Sequence, residues 1–158
     1  MTDTAGTFAA AFAALFVAHS VGDHWVQTSW QAARKGDRSR PGHIACGRHV
    51  FGLTVTKALA LLLAVLVLGL EVSALGVVLG LGLDAGTHYW ADRRHTLTSL
   101  ARVCGKTEFH TLGTPAHPGH PVAADGEYAP TLGTGAYALD QSFHHFWLFV
   151  AALIIAAV

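Results

Sequence analysis

The segments His19-Ser-Val-Gly-Asp23 and Asp84-Ala-Gly-Thr-His88-Tyr-Trp-Ala-Asp92 decide how this chain is read. Each places acidic and imidazole side chains four residues apart, one above the other on a single helix face. Asp140-Gln-Ser-Phe-His144 repeats the spacing, and His49 stands alone at the head of a long apolar run. All of them lie at the ends of apolar segments. An ionisable group there costs about 2.5 to 3.5 kcal/mol at a bilayer centre on insertion scales. Side chains that costly do not serve packing. They neutralise one another most economically by sharing a metal ion.

Composition sets the class. The chain has 158 residues, enough for one domain, of which 52% are hydrophobic and only 13% charged, and its mean hydropathy is positive. These values suit a polytopic membrane protein better than a soluble domain. The near-zero net charge gives no electrostatic reason to expect nucleic acid as a partner. The start of the chain lacks a basic region and a cleavage motif, so a signal peptide is not expected.

The expected fold is all-α, with four transmembrane helices in an antiparallel bundle at about 8–31, 49–70, 72–92 and 139–158. A span needs about 20 apolar residues. The second segment meets that unaided, and the first and third do so if their polar residues face the bundle interior. The alternative is a single span plus the buried helices of a soluble bundle. The basic residues favour four spans. Arg34, Lys35, Arg38, Arg40 and Arg48 lie between segments one and two, and Arg93, Arg94, Arg102 and Lys106 follow segment three. Positive residues stay in the cytoplasm. Both termini and the turn at Glu71 are therefore expected outside a bacterial inner membrane, and both long connections inside. Trp25, Trp30 and Trp90 then fall at the cytoplasmic interface. The connection at about 101–137 carries Pro115, Pro118, Pro121 and Pro130 with many Gly and Thr, and reads as a cytoplasmic loop or lid containing His110, His117 and His120. The first connection, broken by Pro41 and Gly42, is also expected as a loop.

On this topology His19, Asp23, His49, Asp84, His88, Asp92, Asp140 and His144 reach the same leaflet from four helices. Imidazole and carboxylate suit zinc, with manganese or iron as alternatives. The set exceeds what one tetrahedral ion needs. It can hold two ions bridged by a carboxylate, or one ion with Asp–His pairs that fix the imidazole tautomers. The plainer reading is a group of hydrogen-bonded pairs that join helices. Lys57 either snorkels to the interface or faces the polar centre as a charge partner. Asp92 is either a ligand or the partner of Arg93 or Arg94. Gln27 and Gln141 either support ligands or satisfy backbone. His24, His95 and His145 point away from the motif faces. Gly76, Gly80 and Gly82 are expected to allow close helix packing. Cys46 and Cys104 lack the spacing for a zinc knuckle.

The order of these motifs resembles an uncharacterised family of small bacterial multi-helix membrane proteins, a domain of unknown function. Its pattern is H-x-x-x-D followed by Q, a lone His on the next helix, a second H-x-x-x-D, and a final D-Q-x-x-H. Those positions fall on His19, Asp23, Gln27, His49, His88, Asp92, Asp140, Gln141 and His144. The resemblance covers nearly the whole chain, implies that Asp92 is a ligand, and leaves Asp84 as an extra one. The long Pro/Gly/His loop resembles an actinobacterial variant. The family is distantly like membrane-bound metal-dependent hydrolases, a likeness of fold alone.

The leading functional expectation is a metal-dependent hydrolase whose site, just below the headgroups, is reached by a lipid-like ester or phosphoester. Asp23 and Asp92 are the carboxylates expected to act as general base, and Arg48, Arg93 and Arg94 to hold an anionic headgroup or simply to set topology. A metal-stabilised membrane scaffold and an ion transporter are the alternatives. Four short helices are few for a transporter unless the chain forms a homo-oligomer.

Overall fold

Four inward-facing stripes that step by four residues organise the chain. They run Thr7–Ala11–Leu15–His19, His49–Leu53–Lys57–Leu61, Gly76–Gly80–Asp84–His88–Asp92 and His144–Leu148–Ala152, and every member is buried. The computed structural model describes residues 3–113 and 133–158, and its regular structure is entirely helical. Helix α1 covers Thr4–Val21 and passes into a π-helical turn, Gly22–Val26. Short α2 covers Ser29–Arg34, α3 Arg40–Leu68, α4 Ala74–Asp92, α5 His95–Val103, α6 Thr107–Thr111 and α7 Gly135–Ala157.

Local chemistry sets the boundaries. Thr28 and Gln31 form a reciprocal capping box for α2. Ser39, Ser73 and Thr134 cap α3, α4 and α7 through their hydroxyls. Gly69, at φ 65°, closes α3 in a left-handed conformation. Pro41 lies in the first turn of α3, where its missing N–H has no intrahelical partner to lose. It therefore helps start the helix, and α3 begins nine residues before the expected 49. The expected continuous first helix to about 31 is broken at Gln27 and Thr28, both extended. The segment expected as loop from 101 to 137 holds α6 and the start of α7. Pro115, His117, Pro118, His120, Pro121, Pro130 and the lid expected from them lie outside the described residues.

Among the described residues, three helical stretches are long and apolar enough to cross a membrane, namely Thr4–Val26, Arg40–Leu68 and Gly135–Ala157, which marks the chain as a membrane protein. Helix α4 is not among them, because Asp84, His88 and Asp92 lower its apolarity. The outward faces carry the apolar side chains. Leu63, Leu66 and Val67 on α3 are 62%, 73% and 70% exposed, as lipid contact requires and water would penalise.

Helix α4 packs most extensively on α7, and α1 lies against both α3 and α7. A Cβ on Gly80 would come within 2.8 Å of the Ala151 carbonyl, so this glycine permits the α4–α7 approach. A Cβ on Gly76 would meet the Ile154 carbonyl at 3.3 Å. Gly82, expected to do the same, has nothing within 4 Å of such a Cβ and takes no part in this packing. Ala11, Leu15, Leu61, Leu81, Leu148 and Ile155 belong to the apolar core. The ionisable members of the stripes lie towards the other end.

Candidate metal centre

The π-helical turn carries Asp23 at the end of α1, and its wide register is closed by Gln27 N–H donating to the Gly22 carbonyl at 2.9 Å. Such turns recur at functional sites. Here it leaves Asp23 with one oxygen towards His19 of its own helix and the other towards α3 and α4. Gly22 itself is buried, and a Cβ there would run into Leu53 of α3.

Around Asp23 the ligand atoms converge. His49 Nε2 lies 3.1 Å from Asp23 Oδ1, 3.1 Å from Asp92 Oδ2 and 3.1 Å from His88 Nε2. His88 Nε2 lies 3.2 Å from Asp92 Oδ2 and 3.7 Å from Asp23 Oδ1. His19 Nε2 approaches Asp23 Oδ2 at 3.5 Å, and His144 Nε2 approaches Asp140 Oδ1 at 3.5 Å and Asp92 Oδ1 at 3.9 Å. His19, His49, His88, Asp92 and His144 are each no more than 2% exposed. The rings of His88 and His144 stack with centroids 3.9 Å apart.

Hydrogen bonds do not satisfy this group. One imidazole nitrogen carries at most one proton, yet His49 Nε2 faces three acceptors at equal distance. Asp23 Oδ1, Asp92 Oδ2, His144 Nε2 and both ring nitrogens of His19 are buried without a hydrogen-bond partner. Leaving such groups unpaired costs about 1–3 kcal/mol each, and more when charged. Cationic charge among them would engage the carboxylate oxygens and one nitrogen of each imidazole. Ligands about 2.0–2.1 Å from a zinc ion stand about 3.3 Å apart in a tetrahedron and about 3 Å apart in an octahedron. The separations here fall around those lengths. Two subsets, Asp23–His49–His88 and His88–Asp92–His144, already bring one ligand atom from each residue within 4.8 Å of the others. The residues fit a divalent transition metal.

The other expected site residues divide. Asp140, with 27% of its side chain exposed, stands at the edge of the group and is held by Gln141 Nε2 donating at 3.3 Å. Asp84 is not brought to the ligand group. It accepts from Lys57 Nζ at 2.6 Å, one turn below His88, in a pair that excludes water. Lys57 therefore faces the polar interior and does not snorkel. Gln27 has a buried amide nitrogen with no partner. Arg48 is exposed. Arg93 is buried and donates to the carbonyls of Lys35 at 2.8 Å and of Asp37, tying the first connection to α4. It is committed to backbone and has little left to offer a headgroup. Arg94 donates to the Ala32 carbonyl at 2.8 Å. Its φ of 57° marks the sharp turn from α4 into α5. His24 bonds the Ser20 carbonyl, His145 packs its ring at a tilt against Phe16, and His95 is exposed, so none joins the ligands. Both cysteines are free, Cys46 buried and Cys104 exposed.

Lys35, expected from sequence only to set topology, reaches the ligand group. Its ammonium lies 2.8 Å from Asp92 Oδ1, and it neighbours a cleft of about 490 Å³ whose walls include Asp92, Arg94, His110, Tyr137 and Asp140. A smaller groove of about 220 Å³, lined by Leu100, Leu139, Phe143 and Phe146, shares Leu97 with that cleft. Lys35 has no helical spacing to betray it, since it caps the end of six-residue α2.

Comparison with protein-family models, with curated proteins and with solved structures gives no match.

Proposed function

We propose that this chain is a four-span protein of the bacterial inner membrane and a metal-dependent hydrolase, acting on a lipid-like ester or phosphoester at the cytoplasmic leaflet. α4 is the fourth span, its polar side chains shielded by α1, α3 and α7, and both termini lie outside. Zinc is the metal the mixed nitrogen and oxygen ligands fit best, with manganese or iron as alternatives.

The carrying observation is the cleft beside the buried ligand group. A purely structural site would be closed. This one borders an opening whose wall includes Asp92 and Asp140. Lys35 and Arg94 supply positive charge there, and the adjoining groove is apolar. That pairing suits an amphiphile with an anionic head.

A divalent ion held by these residues would supply Lewis acidity and bring the pKa of a bound water down towards neutrality. The chain does the rest. Asp23 and Asp92, expected as general bases, stand in ligand positions beside His49. Asp140 is the more exposed carboxylate and lines the cleft, so it takes the proton from the attacking water. The water oxygen bonds to the carbonyl carbon or phosphorus, the ester bond breaks, and Asp140 returns its proton to the departing alkoxide. Lys35 holds Asp92 in place and balances its charge.

The test is a turnover screen of purified, metal-loaded protein against lipid extracts and synthetic phosphoesters. Asp140→Asn should keep its metal and lose turnover by about 10²–10⁴-fold. Metal-loaded wild type that turns over nothing in that screen would put the metal-stabilised scaffold first.

A further inference from the structure

We infer that the centre holds two divalent ions, bridged by the carboxylates of Asp23 and Asp92. This rests on the metal-centre reading above and extends it. The observation is how the two carboxylates divide their oxygens. Asp23 Oδ1 faces His49 and His88 at 3.1 and 3.7 Å, whereas its Oδ2 faces His19 at 3.5 Å. Asp92 Oδ2 faces the same His49 and His88 at 3.1 and 3.2 Å, whereas its Oδ1 faces His144 at 3.9 Å. Both carboxylates thus turn one oxygen to the His49–His88 pair and the second oxygen away from it, that of Asp23 to His19 and that of Asp92 to His144. That is the arrangement of a bridging ligand, and paired ions in such sites stand about 3.5–4 Å apart.

A single ion between His49 and His88 leaves the other half idle. His19 is fully buried with neither ring nitrogen partnered, and His144 Nε2 is buried and unpartnered as well. Their ring centroids are 5.2 Å apart. His19 Nε2, His144 Nε2, Asp23 Oδ2 and Asp92 Oδ1 are the four ligand atoms a second ion needs. Lys35 occupies one lone pair of Asp92 Oδ1 and leaves another. Asp23, Asp92 and Asp140 set against Lys35 leave two negative charges when the imidazoles are neutral. One divalent ion cancels them. The second makes the centre positive, which suits an anionic ester approaching through the cleft.

Metal content decides the matter without a substrate. Full-length protein, purified in detergent and equilibrated with zinc, should carry two ions per chain by elemental analysis. His19→Ala and His144→Ala should each carry one. Manganese-loaded wild type should give the electron paramagnetic resonance spectrum of a spin-coupled pair, a readout that stands even if the variants do not fold. One ion per chain, with an isolated-manganese spectrum, overturns the bridged pair and leaves the hydrolase reading intact. Two ions that persist undiminished in folded His19→Ala and His144→Ala also overturn it. No bound metal overturns both.

Discussion

Lys57 and Asp84 give the sharpest test of how the interior is built. Their charges stand 2.6 Å apart, with side chains 0% and 3% exposed. At an effective dielectric of about 20 the Coulomb attraction at that distance is about 6 kcal/mol. The cost of taking two ions out of water offsets much of it. The pair is therefore worth little against an apolar pair of the same size, but breaking it strands a charge. Lys57→Met alone, or Asp84→Leu alone, should destabilise by about 3–5 kcal/mol. For a chain of this size that lowers Tm by roughly 6–20 °C. The double variant should recover most of the loss, because neither ion remains. Thermal unfolding of the four proteins in one detergent completes a double-mutant cycle. Elemental analysis of the same samples adds a second reading, since a double variant with full metal content confirms that Asp84 is not a ligand. Single variants that lose less than about 1 kcal/mol, or a double variant that drops its metal, would refute the reasoning.

Gly80→Ala should cost about 1–3 kcal/mol, because its methyl meets the Ala151 carbonyl, whereas Gly82→Ala, with open space around it, should gain about 0.5–1 kcal/mol; thermal unfolding checks both. His49→Ala should lose most of its bound metal, and His43→Ala, an exposed residue bonded to the Tyr89 hydroxyl at 2.7 Å, should keep it; equal content in the two would count against the centre. A membrane-impermeant maleimide should label exposed Cys104 in inside-out vesicles and not in intact spheroplasts, while buried Cys46 stays unlabelled in both; the reverse pattern would invert the topology.

Why the interior was more legible than the cleft follows from what periodicity records. A helix repeats its facing residue every three or four positions, so His19 and Asp23, or His88 and Asp92, declare a shared face without reference to the rest of the fold. The same rule places His49, Leu53 and Lys57 on one stripe, each four residues on. From sequence Lys57 has two readings, because a lysine near an interface gains by snorkelling. Only the position of Asp84 across the bundle decides against it, and no local pattern carries that distance. The pairing with Lys57 engages Asp84 away from the ligand group, although its spacing to His88 equals that of His19 to Asp23 and of His88 to Asp92. Spacing reports a common face and says nothing of which neighbour claims the side chain. Lys35, Arg94, His110 and Tyr137 sit on turns, short helices or a helix start, where no period accumulates. Pro41 is ambiguous for a related reason, since proline breaks a helix interior and suits its first turn, and the deciding Ser39 cap lies only two residues away. The polar centre was thus written into regular helices, which fix direction by geometry alone. Access to it is built from connections, whose course depends on contacts such as Arg93 to the Lys35 carbonyl, 58 residues distant.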